Sequence, residues 1–85
     1  MAGERILVVD NEVRIRRFVE VNLRLEGFEV IVASDGHEGL QRAFDTDPAL
    51  VLLDVMMPGI DGIEVCRRLR ADPRTSHVPV ILLTA

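Results

Sequence analysis

The chain has 85 residues, 48% of them hydrophobic and 28% charged, with a net charge of -4, which supports one small domain with a single core rather than two. A pI near 5.0 argues against nucleic acid as a direct partner, because phosphate-binding surfaces need a clustered excess of positive charge. The single cysteine excludes an internal disulfide or multi-cysteine metal site, and no apolar run approaches the roughly 18 residues that suggest a membrane span, so a cytoplasmic protein without membrane contact is expected.

Met-Ala-Gly-Glu-Arg leads straight into Arg5 to Asp10 (RILVVD), a continuous apolar run rich in β-branched residues. That is the mark of a strand buried on both faces, and it ends on an acid. From Glu12 to Glu26 the period becomes helical, with Ile15, Phe18, Val19 and Leu23 on one broad face and Asn22 near it. Gly27 stands where a helix C-terminus favours a left-handed residue. Phe28 to Ala33 reads as a second strand and Ser34-Asp35-Gly36 as a turn into a helix. That helix runs to about Asp45 with Leu40, Ala43 and Phe44 inward, and Asp47-Pro48 closes it, since the residue before proline disfavours helix.

Leu50 to Leu53 is the third strand, running into Asp54 and the loop Met56-Met57-Pro58-Gly59. Ile63, Cys66 and Leu69 then recur at helical spacing, Asp72-Pro73 ends that helix, and Val80 to Leu83 is a fourth apolar strand. The alternation of strand and helix gives parallel strands joined by right-handed crossovers, an α/β fold covered on both faces. The pairs Arg16-Arg17 and Arg67-Arg68 read as solvated helix faces. His37 and His77 have no ligand spacing and read as surface residues, and Cys66 and Met57 read as packing.

In such a sheet the carboxyl ends of neighbouring strands converge at one edge, where ligands bind. Asp10 ends strand one and Asp54 ends strand three. If those strands are neighbours, two like charges meet beside Asn11, and either one carboxyl takes a proton or a cation sits between them. Carboxylate, amide oxygen and a backbone carbonyl from Met56 form an oxygen-only set that suits magnesium. The plainer alternative is that both aspartates cap the turns that follow them. Pro58-Gly59 reads as a turn and Asp61 as the N-cap of the third helix. Thr84 is a hydroxyl at the end of strand four, beside the same edge.

The segments ILVVDNE, LLDVMMPGIDGIEVCRRLR and VPVILLTA, in this order and spacing, resemble the receiver domain of two-component response regulators, chemotaxis regulators included. The resemblance implies a flavodoxin-like doubly wound parallel sheet with strand order 2-1-3-4. It implies that Asp54 accepts a phosphoryl group from a histidine kinase, and that Asp10, Asn11, Asp54 and the Met56 carbonyl hold Mg2+. It further implies that the Thr84 hydroxyl hydrogen-bonds the phosphoryl group and that Ala85 leaves it room, a phosphoacceptor rather than a turnover enzyme.

Two departures from the family pattern stand out. Asn11 occupies a position where the family usually carries an aspartate on the metal, which predicts weaker Mg2+ binding, partly offset by Glu12. The family also continues into a fifth strand bearing a lysine, flanked by two helices. All ten basic residues here are arginines, and there is no tyrosine or tryptophan. Residues 1–85 are therefore expected to form an incomplete receiver domain, with a possible C-terminal output domain in a parent protein. Its open fourth strand or uncovered apolar face is expected to support a homo-oligomer. A non-phosphorylated pseudo-receiver, acting through protein contacts alone, is the alternative. A nucleotide- or flavin-binding domain fits poorly, because no glycine-rich phosphate cradle follows strands one or three.

Overall fold

The computed structural model describes residues 3–83. The elements are β1 (Arg5–Val9), α1 (Val13–Leu25), β2 (Glu29–Ala33), α2 (Gly36–Thr46), β3 (Leu50–Asp54), α3 (Gly62–Ala71) and β4 (Val80–Leu83). All strand pairs are parallel and the order is β2-β1-β3-β4, the doubly wound, flavodoxin-like arrangement expected.

The connections follow from handedness. The chain steps from β1 to one side through α1, then crosses back over β1 to β3 through α2. Right-handed crossovers in opposite directions put their helices on opposite faces of the sheet. Accordingly Val19 and Leu23 of α1 pack on Ile6, Val8 and Val30, while Leu40 and Ala43 of α2 and Val65 and Leu69 of α3 pack on Leu7, Val9, Val51 and Leu53. The strand order reverses between β1 and β3.

Local chemistry sets the helix ends. Asp35 and Asp61 cap α2 and α3 by accepting the N–H of Glu38 and Glu64 at 2.8 and 2.9 Å, satisfying donors that a helix start leaves unpaired. At the end of α1 the Phe28 and Gly27 N–H groups donate to the Leu23 and Arg24 carbonyls at 3.1 and 3.0 Å, with Gly27 at φ 94°. That pair of bonds is a Schellman motif, and its left-handed position suits glycine.

The faces of α1 and α3 differ from the sequence expectation. Ile15 and Phe18 are 49% and 69% exposed, Asn22 is exposed, and its amide donates to the Phe18 carbonyl. The helix lies over β1 and β2, and that narrow footprint is filled by Val19 and Leu23. On α3 the inward residues are Val65 and Leu69, with Cys66 half-buried against the core and Ile63 exposed. Beyond the edge of α1 the same sheet face leaves Leu50 and Leu52 half-buried and Ile81 50% exposed. Met57 is buried as expected.

Candidate functional site

β1 and β3 are adjacent with Val9 opposite Leu53, so the residues that follow, Asp10 and Asp54, stand side by side where the strand order reverses. They line one cavity of about 350 Å³ together with Asn11, Glu12, Ile15, Met56 and Leu83. The four metal-site residues read from the sequence are thus brought together. Thr84 and Ala85 follow Leu83 and lie outside the described residues. His37 and His77 are exposed and do not line this cavity; His77 Nε2 lies 3.6 Å from Asp47 Oδ1.

Each aspartate uses one carboxylate oxygen to shape its own turn. Asp10 Oδ1 accepts the Glu12 N–H at 2.9 Å and Asp54 Oδ1 accepts the Met56 N–H at 3.0 Å. The capping alternative therefore describes half of each carboxylate, and it leaves the second oxygen of each available to a ligand. Glu12 in turn accepts the Arg14 N–H as the N-cap of α1.

Asp10 is buried, with 4% of its surface exposed. Burial pushes its carboxyl above the ordinary aspartate range, and the neighbouring Asp54 carboxyl adds to the rise. The Glu12 N–H and the Arg16 guanidinium oppose it. No arginine lines the cavity. The cavity therefore concentrates negative charge that nothing inside it neutralises.

Donor chemistry fits a hard divalent cation: two half-free carboxylates, an amide side chain and the Met56 backbone meet in one opening, with room for retained waters. Among the described residues no three His, Cys, Asp or Glu side chains group as a metal cluster. With Asn11 in place of an acid, the set is two carboxylates completed by neutral oxygens.

One contributor escaped the sequence reading. Arg16 is half-buried, and its Nη1 donates to the Asp10 carbonyl at 2.8 Å, so it is not part of a solvated face as its neighbour Arg17 is. Nothing in the local sequence separates the two arginines; only the position of β1 beneath α1 does.

Gly62 supports the backbone behind Asp54. A Cβ there would overlap the Asp54 carbonyl oxygen and lie 2.8 Å from the Val55 Cα, and the Gly62 N–H donates to the Val55 carbonyl at 3.0 Å. The start of α3 rests directly on the backbone that carries Asp54 because no side chain intervenes.

A doubly wound α/β domain with paired aspartates at its topological switch point is the class of protein defined by this fold and edge. The chain belongs to the response regulator receiver domain family, whose model matches residues 6–85. It is 52% identical over 82 residues to the probable transcriptional regulator ycf27 of Pyropia yezoensis, covering 96% of this chain and 32% of that protein. The N-terminal domain of a response regulator receiver protein from Methanoculleus marisnigri superposes with a TM-score of 0.93 at 42% identity, over 95% of this chain and 66% of that one. The response regulator TrrA of Thermotoga maritima, in complex with Mg2+-BeF, superposes with a TM-score of 0.90 at 43% identity, over 96% and 70%. TrrA has also been solved in complex with the histidine kinase ThkA. The chain spans about a third of the length of that ycf27 relative and 18% of the response regulator PleD of Caulobacter vibrioides, to which it is 51% identical over 81 residues.

Proposed function

We propose that the chain is a phosphoacceptor module of two-component signalling, taking a phosphoryl group on Asp54 from a histidine kinase. The observation that carries this reading is the meeting of Asp10 and Asp54 in one cavity, each with one carboxylate oxygen left over from its turn. The TrrA complexes with Mg2+-BeF and with a histidine kinase support it.

In the proposed step the free oxygen of Asp54 attacks phosphorus in line with the phosphorus–nitrogen bond of a phosphohistidine. That bond breaks, the imidazole leaves with its electron pair and takes a proton, and an acyl phosphate forms on Asp54. Asp10, Asn11, Asp54 and the Met56 carbonyl are the residues that would hold Mg2+, which supplies charge neutralisation for the transferring phosphoryl oxygens. Asp10 binds and Asn11 orients through oxygen donors; the Met56 N–H fixes which oxygen of Asp54 is the nucleophile. The Thr84 hydroxyl is assigned a hydrogen bond to the phosphoryl group. Turnover of a separate substrate is not part of this function.

The match to a probable transcriptional regulator about three times as long supports an output domain in a parent protein. No helix among the described residues is long and apolar enough to cross a membrane, which fits a cytoplasmic signalling role. A second reading is a pseudo-receiver acting through contacts alone, in which Asp10 and Asp54 serve only to accept the N–H groups of Glu12 and Met56 in their turns. The two separate on incubation with acetyl phosphate and Mg2+ followed by intact-mass measurement. A single phosphoryl adduct, lost in Asp54→Ala, is expected; no adduct on the parent chain overturns the phosphoacceptor reading in favour of the second.

A further inference from the structure

Asp10 is gripped at three atoms, two of its backbone and one of its side chain. Its N–H donates to the Ala33 carbonyl at the end of β2 at 3.1 Å, its Oδ1 accepts from Glu12, and its carbonyl accepts the Arg16 guanidinium at 2.8 Å. The first ties the residue to the sheet and the second shapes its turn. The third links the body of α1 back to the strand end, spanning six residues. Arg16 is part of the helix it braces, since its own N–H donates to the Glu12 carbonyl at 3.0 Å. Its side chain also lines a small groove with Ala33, Ser34 and Glu38, beside the end of β2.

We propose that Arg16 is a positioning residue of the cation site: by pinning the Asp10 carbonyl it fixes the β1–α1 turn so that the unused oxygen of Asp10 faces Asp54. This rests on the reading of the site as a magnesium site. Groups that orient metal ligands from outside the ligand set commonly cost ten- to a hundredfold in affinity when removed. The interaction is charge-assisted, and a guanidinium presents donors in a fixed plane, so its geometry constrains the carbonyl more than a flexible ammonium would. Arg17, one residue on, is exposed and lies outside both the cavity and the groove. It is a charge-matched control supplied by the sequence itself.

The test compares Mg2+ affinity by titration calorimetry in the parent chain, Arg16→Met, Arg17→Met and Arg16→Lys. Arg16→Met is expected to weaken binding about tenfold, while Arg17→Met, with the same change in net charge, shifts it less than about twofold. Arg16→Lys is expected to recover only part of the loss, because an ammonium can still donate to the carbonyl but holds it less firmly than the guanidinium plane does. Phosphorylation of Arg16→Met by acetyl phosphate should return to the parental rate at saturating Mg2+, as a merely unfolded fraction would not. Equal losses in the two methionine variants overturn the positioning role and leave the site intact. No Mg2+ binding by the parent overturns the site reading itself. If Arg16→Met does not fold, Arg16→Gln replaces it, its shorter amide falling short of the carbonyl; parental affinity in that variant also overturns the proposal.

Discussion

At the residue scale the site holds a like-charge pair whose cost the bare fold bears. Because burial and Asp54 raise the Asp10 carboxyl, the folded chain holds that proton more tightly than the unfolded one. The contribution to stability is fully present below the ordinary value of 3.8 and is lost as pH rises through the raised folded value. Asp10→Asn is therefore expected to stabilise the metal-free protein at neutral pH by on the order of 1 kcal/mol while abolishing Mg2+ binding. Thermal melts with and without Mg2+ check both halves, and a lower Tm in the metal-free variant contradicts the account.

Asn11 works in the opposite direction. Restoring a charge with Asn11→Asp is expected to tighten Mg2+ binding by about 1 kcal/mol and to lower metal-free stability. Equal affinities for the two proteins would remove Asn11 from the site.

The surface acids carry the ordinary sign. Arg67 and Arg68 hold the Glu64 carboxyl down to about 2, and Arg74 holds Asp72 down to about 2. Their contributions are present above the usual carboxylate values of 4.5 and 3.8 and are lost as pH falls toward 2. Both carboxylates remain in partial contact with solvent, at 32% and 25% side-chain exposure, so raising the salt concentration should shrink this acid limb. It should leave the Asp10 effect largely unchanged, because that group is shielded from counterions.

At the element scale the decisive contact is α3 resting on the end of β3. Gly62→Ala must displace backbone rather than a side-chain tip. We expect a loss of about 1–3 kcal/mol, typical of forcing extra volume into closely packed structure, and a shift of the loop that carries Met56. Urea unfolding gives the first quantity. Amide shifts of Asp54 to Met56 report the second, and unchanged shifts would separate α3 from the site. The helices also show how little of an apolar stripe is settled by periodicity. Ile15, Phe18 and Ile63 have the spacing of a buried face and are exposed, because α1 meets the sheet through Val19 and Leu23 and α3 turns Val65 and Leu69 inward instead. Thr75 shows the converse: a polar residue with no apolar period is wholly buried, its hydroxyl donating to the Leu69 carbonyl at 2.8 Å. A hydroxyl that closes a helix end gives no periodic signal.

At the scale of the whole molecule the two sheet faces are unequal. Among the described residues α2 and α3 pack on one face and α1 lies over β1 and β2 on the other, so Leu50 and Leu52 stay half-buried and Ile81 exposed beside it, with Phe18 exposed on α1 itself, apolar surface of the kind that drives association. We expect the 85-residue chain to self-associate, with an apparent mass by light scattering that rises with concentration. Phe18→Ser with Ile81→Ser should suppress the rise. A mass that stays monomeric at every concentration contradicts it.

The amino-acid sequence by itself determined the order of elements, because period and capping are local, and it determined that acids end β1 and β3. The family motifs added the strand order and the roles that go with it. Tertiary structure alone decided that Asp10 and Asp54 share a cavity with one oxygen each to spare, that Arg16 and not Arg17 braces the turn, and that Val65 rather than Ile63 faces the core. These are matters of which surfaces meet. Residues far apart along the chain are brought together by the crossovers, and no pattern within a single segment carries that information.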